Sequence, residues 1–231
     1  MALSIKNLSS WYGQSQALWN VSLEMQEGEV VGVLGRNGAG KTTLLRSIMG
    51  LQGHIAGTIA HGDLVLSGLK PHEIALSGVV LLREGGQLPA SLTVGQNLVL
   101  GQRLARRRRR SGRTFDEIWR WFPMLEPLVD RRAGLLSGGQ RQALALAVAF
   151  ISEPKLLLLD EPSAGLSPPV ARDLFQTIKQ LASSGMTVLA VEQHPAWLLS
   201  LATRGYLLEV GAVTAQGPIT DMLVANRGKL V

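Results

Sequence analysis

The sequence predicts one α/β domain in which a mainly parallel sheet carries an antiparallel β-rich edge and a helical insertion. Three observations predict it. Runs of branched aliphatic residues at Val79–Leu82, Leu156–Leu159 and Thr187–Val191 each follow a turn or helix and end on polar residues, as parallel strands buried on both faces require. A fourth apolar run, Val30–Leu34, leads into the glycine-rich GRNGAGKTT, a strand–loop–helix signature. The stretch from about Leu92 to Phe150 has helical periodicity and no strong strand, so it reads as an insertion. A length of 231 residues, 46% of them hydrophobic, suits a single core better than two.

Taken in order, Leu3–Leu8, Ala17–Met25 and Gly57–Ala60 are short strands separated by turns, forming the β-rich edge. After Val30–Leu34, residues Gly35, Arg36, Asn37, Gly38, Ala39, Gly40, Lys41, Thr42 and Thr43 fit G-x-x-x-x-G-K-[ST], with the helix Leu44–Met49 beyond. Glycines let successive amides turn toward phosphate oxygens, and the helix N-terminus adds partial positive charge. Lys41 is then placed for the β- and γ-phosphates and Thr42 for Mg²⁺. Asp160 and Glu161 emerge at the C-terminal end of Leu156–Leu159, the edge that also carries Lys41, so Asp160 is a candidate Mg²⁺ ligand and Glu161 a candidate base for an attacking water. Between these sites LSGGQ, residues Leu136, Ser137, Gly138, Gly139 and Gln140, opens the helix Gln140–Phe150 with a capping serine and two glycines.

Charge and composition set limits. No cysteine is present, which excludes disulfides, thiol nucleophiles and Cys-ligated zinc and is compatible with a reducing cytoplasm. The start, MALSIKNLSS, lacks the pattern of a signal peptide, and no apolar stretch is long enough to span a bilayer, so the chain is expected to be soluble by itself. Seven arginines fall between Arg103 and Arg113; subtracting them from the net +6 leaves −1. The high pI is therefore local, and a solvated surface, anionic lipid and nucleic acid are the readings of that run.

The order phosphate loop, LSGGQ, then LLLLDEP resembles the nucleotide-binding subunits of ABC transporters over essentially the whole chain. The resemblance implies the P-loop ABC ATPase fold: a RecA-like core of about residues 1–87 and 153–231 with an antiparallel β subdomain, and a helical signature subdomain of about 88–152. It implies ATP and Mg²⁺ as ligands, Tyr12 stacking on adenine, and Leu136–Gln140 acting on the ATP of a partner chain. Glu84 stands where most such ATPases carry a glutamine near the metal, implying a contact with Mg²⁺ through water. Ser167 stands where aspartate is common, and Gln193 replaces a histidine that contacts the γ-phosphate. Together with ALWNVSL and RGYLLEVGAV, these departures resemble the ATP-binding subunit of branched-chain amino acid importers, with urea or amide importers close by.

That likeness implies a peripheral subunit on the cytoplasmic face of a bacterial inner membrane. Its implied partners are a second ATPase subunit, different or identical, two transmembrane permease subunits and, indirectly, a solute-binding protein. No nucleic acid is expected, because a cassette working on ribosomes or DNA would carry paired cassettes or a coiled-coil insertion. A hydrolysis-deficient module is opposed by intact Lys41, Asp160 and Glu161. In VEQHP, adjacent residues at a strand end are expected to point to opposite sides. Pro195 suits the first turn of the helix Ala196–Ala202 and makes His194 its capping position, leaving Gln193 as the phosphate sensor.

Overall fold

A computed structural model describes residues 1–225 of the chain. Its strands and helices, in order, are β1 (Leu3–Tyr12), β2 (Ser15–Met25), β3 (Val30–Leu34), α1 (Lys41–Ile48), β4 (His54–His61), β5 (Leu64–Val65), α2 (Pro71–Ser77), β6 (Val79–Leu82), α3 (Val94–Arg107), α4 (Phe115–Trp121), α5 (Gly138–Ile151), β7 (Leu156–Asp160), α6 (Pro168–Ser183), β8 (Thr187–Glu192), α7 (Pro195–Leu201), β9 (Arg204–Glu209), β10 (Ala212–Pro218) and α8 (Ile219–Ala225). Two 3₁₀ turns, Pro123–Leu128 and Ala133–Leu135, lie between α4 and α5.

The apolar runs become the middle of a six-stranded sheet of order β10-β9-β3-β8-β7-β6, parallel except for β10. Side chains alternate across a strand, so each run feeds two cores. Leu157 and Leu159 of β7, with Val188 and Ala190 of β8, pack on one face against Leu98, Leu144, Phe175 and Leu198 from the helices. Leu156, Leu158, Leu189 and Val191 pack on the other against α1 and the antiparallel sheet, through Leu44, Ile48, Leu8 and Leu18. That second sheet has the order β2-β1-β4-β5.

Several boundaries differ from the sequence expectation. β1 runs on to Tyr12, because register shifts after Ile5, Leu8 and Ser10 break the alternation that would reveal it. The helix expected from Leu44 starts at Lys41, and that expected from Gln140 starts at Gly138, so the residues of both motifs occupy first helical turns. The order β3-β8-β7 sets the C-terminal ends of these three strands side by side, and the loops leaving them share one rim.

Candidate functional site

The rim is built first by the turn from β3 into α1. Gly40, at the N-cap of α1, has φ 103°, a left-handed conformation that side chains resist, and a Cβ there would lie 2.7 Å from Leu18 Cδ2. The chain can therefore fold tightly over the helix start, where first-turn amides have no intrahelical acceptor. Lys41 is 3% exposed and its Nζ donates to the carbonyls of Gly35 (2.8 Å) and Arg36 (3.1 Å) while lying 3.0 Å from Glu161 Oε1. An ammonium has three protons, so these contacts use all of them.

The turn out of β7 supplies the facing carboxylates. Thr42 Oγ1 donates to Asp160 Oδ1 at 3.0 Å. Burial raises the Asp160 carboxyl above its ordinary range; Thr42 and Lys41 oppose this, and the nearby Glu161 and Glu84 carboxylates reinforce it. Glu161 has φ 44°, unusual for a non-glycine residue, and its N–H donates to the Val191 carbonyl at 3.0 Å. The chain bends sharply just after Asp160, and the bend delivers Glu161 to Lys41.

The end of β8 completes the rim. Glu192, 1% exposed, accepts from the Ser163 N–H and from Ser163 Oγ, both at 3.0 Å, and so ties this strand end to the loop after Glu161. Its carboxyl is raised by burial against the two Ser163 hydrogen bonds, with Glu161 adding to the rise. Sequence reasoning missed both residues; the signal present was a carboxylate closing an otherwise apolar strand. His194 takes the N-cap position of α7, with Pro195 in the first turn, but its side chain makes no capping hydrogen bond. The expectation that Gln193 and His194 face opposite sides is corrected. β8 ends at Glu192, strand alternation does not extend to the next two residues, and both line the same cleft.

That cleft, of about 700 Å³, gathers Tyr12, Asn37, Gly38, Gly40, Lys41, Thr42, Thr43, Glu84, Glu161 and Gln193, with Ser163 and Glu192 on its wall. Tyr12 is 48% exposed and its hydroxyl lies 3.3 Å from Thr43 Oγ1. Gly35, Arg36, Ala39 and Asp160 are outside the cleft lining; Arg36 and Ala39 line a smaller hollow with residues 207–210. Leu136, Ser137, Gly138, Gly139 and Gln140 are not brought to the cleft. They cap α5: Ser137 Oγ accepts from the Gln140 N–H (3.3 Å), the Ser137 N–H donates to Gln140 Oε1 (3.0 Å), and Arg141 Nη1 donates to the Leu136 carbonyl (2.6 Å).

The family model described as "ABC transporter" matches residues 18–164, a stretch from β2 through the phosphate loop and α5 to the turn after β7. The chain belongs to the ABC transporter family. Among its relatives, the high-affinity branched-chain amino acid transport ATP-binding protein BraG of Pseudomonas aeruginosa is 40% identical over 211 residues, covering 91% of this chain and 90% of BraG. The probable branched-chain amino acid transport ATP-binding protein LivF of Archaeoglobus fulgidus is 34% identical, covering 94% and 92%. A solved ATP-binding cassette of an ABC transporter, in its ADP conformation, superposes with a TM-score of 0.82 at 26% identity, over 98% of this chain and 96% of that one. This ABC protein is thus an ATPase that binds adenine nucleotide, with the mixed α/β fold the sequence predicts.

Proposed function

We propose that this ABC ATPase powers an importer for branched-chain or other hydrophobic amino acids, with ATP hydrolysed in the cleft between α1 and the turns after β7 and β8. The single observation that carries hydrolysis in this cleft is the convergence of the Lys41–Glu161 and Thr42–Asp160 pairs at one rim, and the amino-acid solute is supported by the likeness to BraG and LivF. In the proposed mechanism the first-turn amides of α1 and Lys41 Nζ donate to phosphate oxygens, and the exposed Tyr12 ring offers a stacking face for the base. Glu161, released from Lys41 as phosphate takes its place, accepts the proton of the attacking water. Gln193 donates an amide hydrogen bond to the terminal phosphate, and having no titrating proton it adds no pH dependence.

Mg²⁺ fits the residues present. Thr42 Oγ1 and Asp160 Oδ1 are hard oxygen donors 3.0 Å apart, with Glu84 on the same cleft. No cluster of three or more carboxylate, His or Cys ligands exists among the described residues, which suits a cation that completes its shell with phosphate and water. Thr42 and Asp160 would hold it, with Glu84 acting through water; when bound, it neutralises charge on the transferred phosphoryl group.

Leu136–Gln140 lie off this cleft; the likeness to ABC ATPases supports a role for them on the nucleotide of a second ATPase subunit, different or identical, paired head-to-tail. A groove of about 280 Å³ lined by Leu82, Arg83, Leu88, Leu100, Leu104 and Val148 joins the strand end of β6 to α3 and α5. It is the proposed seat of a permease segment, placing the chain peripherally on the cytoplasmic face of the membrane. The test is reconstitution of the chain with permease subunits of a branched-chain amino acid importer. ATP-dependent leucine uptake that Glu161→Gln abolishes is expected; uptake of short amides instead of leucine would overturn the amino-acid assignment.

A further inference from the structure

The arginine-rich segment is not one uniform solvated run. Three of its seven arginines turn inward. Arg108 Nε donates to the Ala75 carbonyl (2.8 Å) and its Nη1 to the Ser152 carbonyl (3.1 Å), joining the end of α3 to α2 and α5. Arg110 pairs with Glu153 (3.7 Å), and Arg113 lies over the Phe150 ring (4.1 Å) beside Glu117. The backbone is pinned as well: the Arg113 N–H donates to the Ile151 carbonyl, and Gln102 Nε2 to the Arg113 carbonyl.

The other four, Arg103, Arg106, Arg107 and Arg109, are exposed, and none is in an ion pair among the described residues. The inner arginines take up Glu153 and Glu117, leaving the outer four uncompensated. On α3 the exposed positions Val99, Leu100, Arg103 and Arg107 recur at helical spacing, so one stripe passes from apolar to basic along the helix. Leu100 also lines the groove assigned above to the permease, and Arg103 and Arg107 follow it on the same face.

We infer that this basic end of α3 is a docking surface for anionic lipid headgroups of the membrane that holds the permease. The inference rests on the proposed function for its orientation and on the arrangement of charge for its chemistry. Arginines on an anchored helix end meet a negatively charged leaflet without the cost of ordering a loose tail, and each adds roughly fivefold to partitioning at low ionic strength. With the remainder of the chain near neutrality, this patch governs the attraction, which fades beyond a Debye length of about 8 Å at physiological salt.

The experiment is co-sedimentation of the full isolated chain with vesicles of phosphatidylcholine alone or with about 30% phosphatidylglycerol. Binding to the anionic vesicles is expected to be on the order of a hundredfold or more stronger, to collapse at high salt, and to fall roughly 25-fold in Arg103→Ala/Arg107→Ala, which should bind ATP normally. Equal binding to both vesicles overturns the inference. So does an anionic preference that survives replacement of all four exposed arginines, or a four-arginine variant that binds vesicles normally and fails only to join the permease in detergent, which would assign the patch to an acidic protein segment. Because no permease is present, failure of the transport assignment leaves this assay intact, and the reverse holds too.

Discussion

Replacing Glu161 by Gln is expected to tighten nucleotide binding while it stops turnover. In the structure Lys41 Nζ spends one of its three protons on Glu161 at 3.0 Å, with the two side chains 3% and 18% exposed, so phosphate must displace the carboxylate. Two unit charges at that separation attract by about 5 kcal/mol at an effective dielectric of ~20. Lost hydration of both groups offsets most of this, leaving about 1–2 kcal/mol of coupling. Glutamine keeps the shape and a neutral acceptor but loses the charge, so ATP affinity should rise roughly 5- to 30-fold. Removing the base should lower turnover about 10²- to 10⁴-fold. Titration calorimetry on the purified chain reads the first effect, and phosphate release from the assembled transporter the second. Weaker binding than wild type would refute the competition argument, and turnover within about threefold of wild type would refute the assignment of the base.

Asp160→Asn tests the buried carboxylate. Because burial raises the folded-state pKa of Asp160, the native protein holds its proton to higher pH than the unfolded chain, so stability is fullest below the ordinary carboxylate range and falls as pH rises through the folded value. The variant should flatten part of that slope, melt higher than wild type near neutral pH without divalent ions, and lose the stabilisation that Mg²⁺ gives wild type, all readable by thermal denaturation. Glu192→Ala leaves the buried Ser163 N–H without its acceptor, worth about 1–3 kcal/mol, or a fall in Tm of roughly 2–12 °C, whereas Glu192→Gln keeps an acceptor oxygen and should fall less. Equal losses in the two variants would show that the Ser163 contact is not what matters. A Cβ at Gly101 would lie 2.4 Å from Ile151 Cγ2 and 2.6 Å from the Val148 carbonyl, so Gly101→Ala should cost about 1–3 kcal/mol by forcing α3 off α5; an unchanged urea midpoint would rule out that tight contact.

Much of the parallel core was legible because burial on both faces leaves continuous Val and Leu runs, which polar loops interrupt. The phosphate loop was legible because strand, glycines and helix occur together, and the structure confirms that order around Lys41. β1 was cut short because bulges spoil its period, and α6 drew no reading although Ala171, Leu174, Phe175 and Ile178 mark its inner face, because the pair Pro168–Pro169 at its start reads locally as a break. The role of Glu192 was hidden for another reason. A buried carboxylate is tolerable only with partners, and its partner Ser163 lies 29 residues away, beyond any local pattern. The placement of Leu136–Gln140 away from the cleft was likewise invisible locally, where those residues read only as a helix cap.

The six-stranded sheet separates two cores that share almost nothing except its strands. Each compartment can therefore loosen or shift as its own packed body, but neither can do so without loading the backbones of β7 and β8 that form the common wall. Those backbones end in the turns that hold Asp160, Glu161, Glu192 and Gln193. The groove beside α3 is walled on its sheet side by Val80, Leu81 and Leu82 of β6, the neighbour of β7, so a load applied there crosses one strand before it reaches those turns. With ATP hydrolysed in the cleft as proposed, a shift of those turns by about 1 Å is enough to misplace an attacking water.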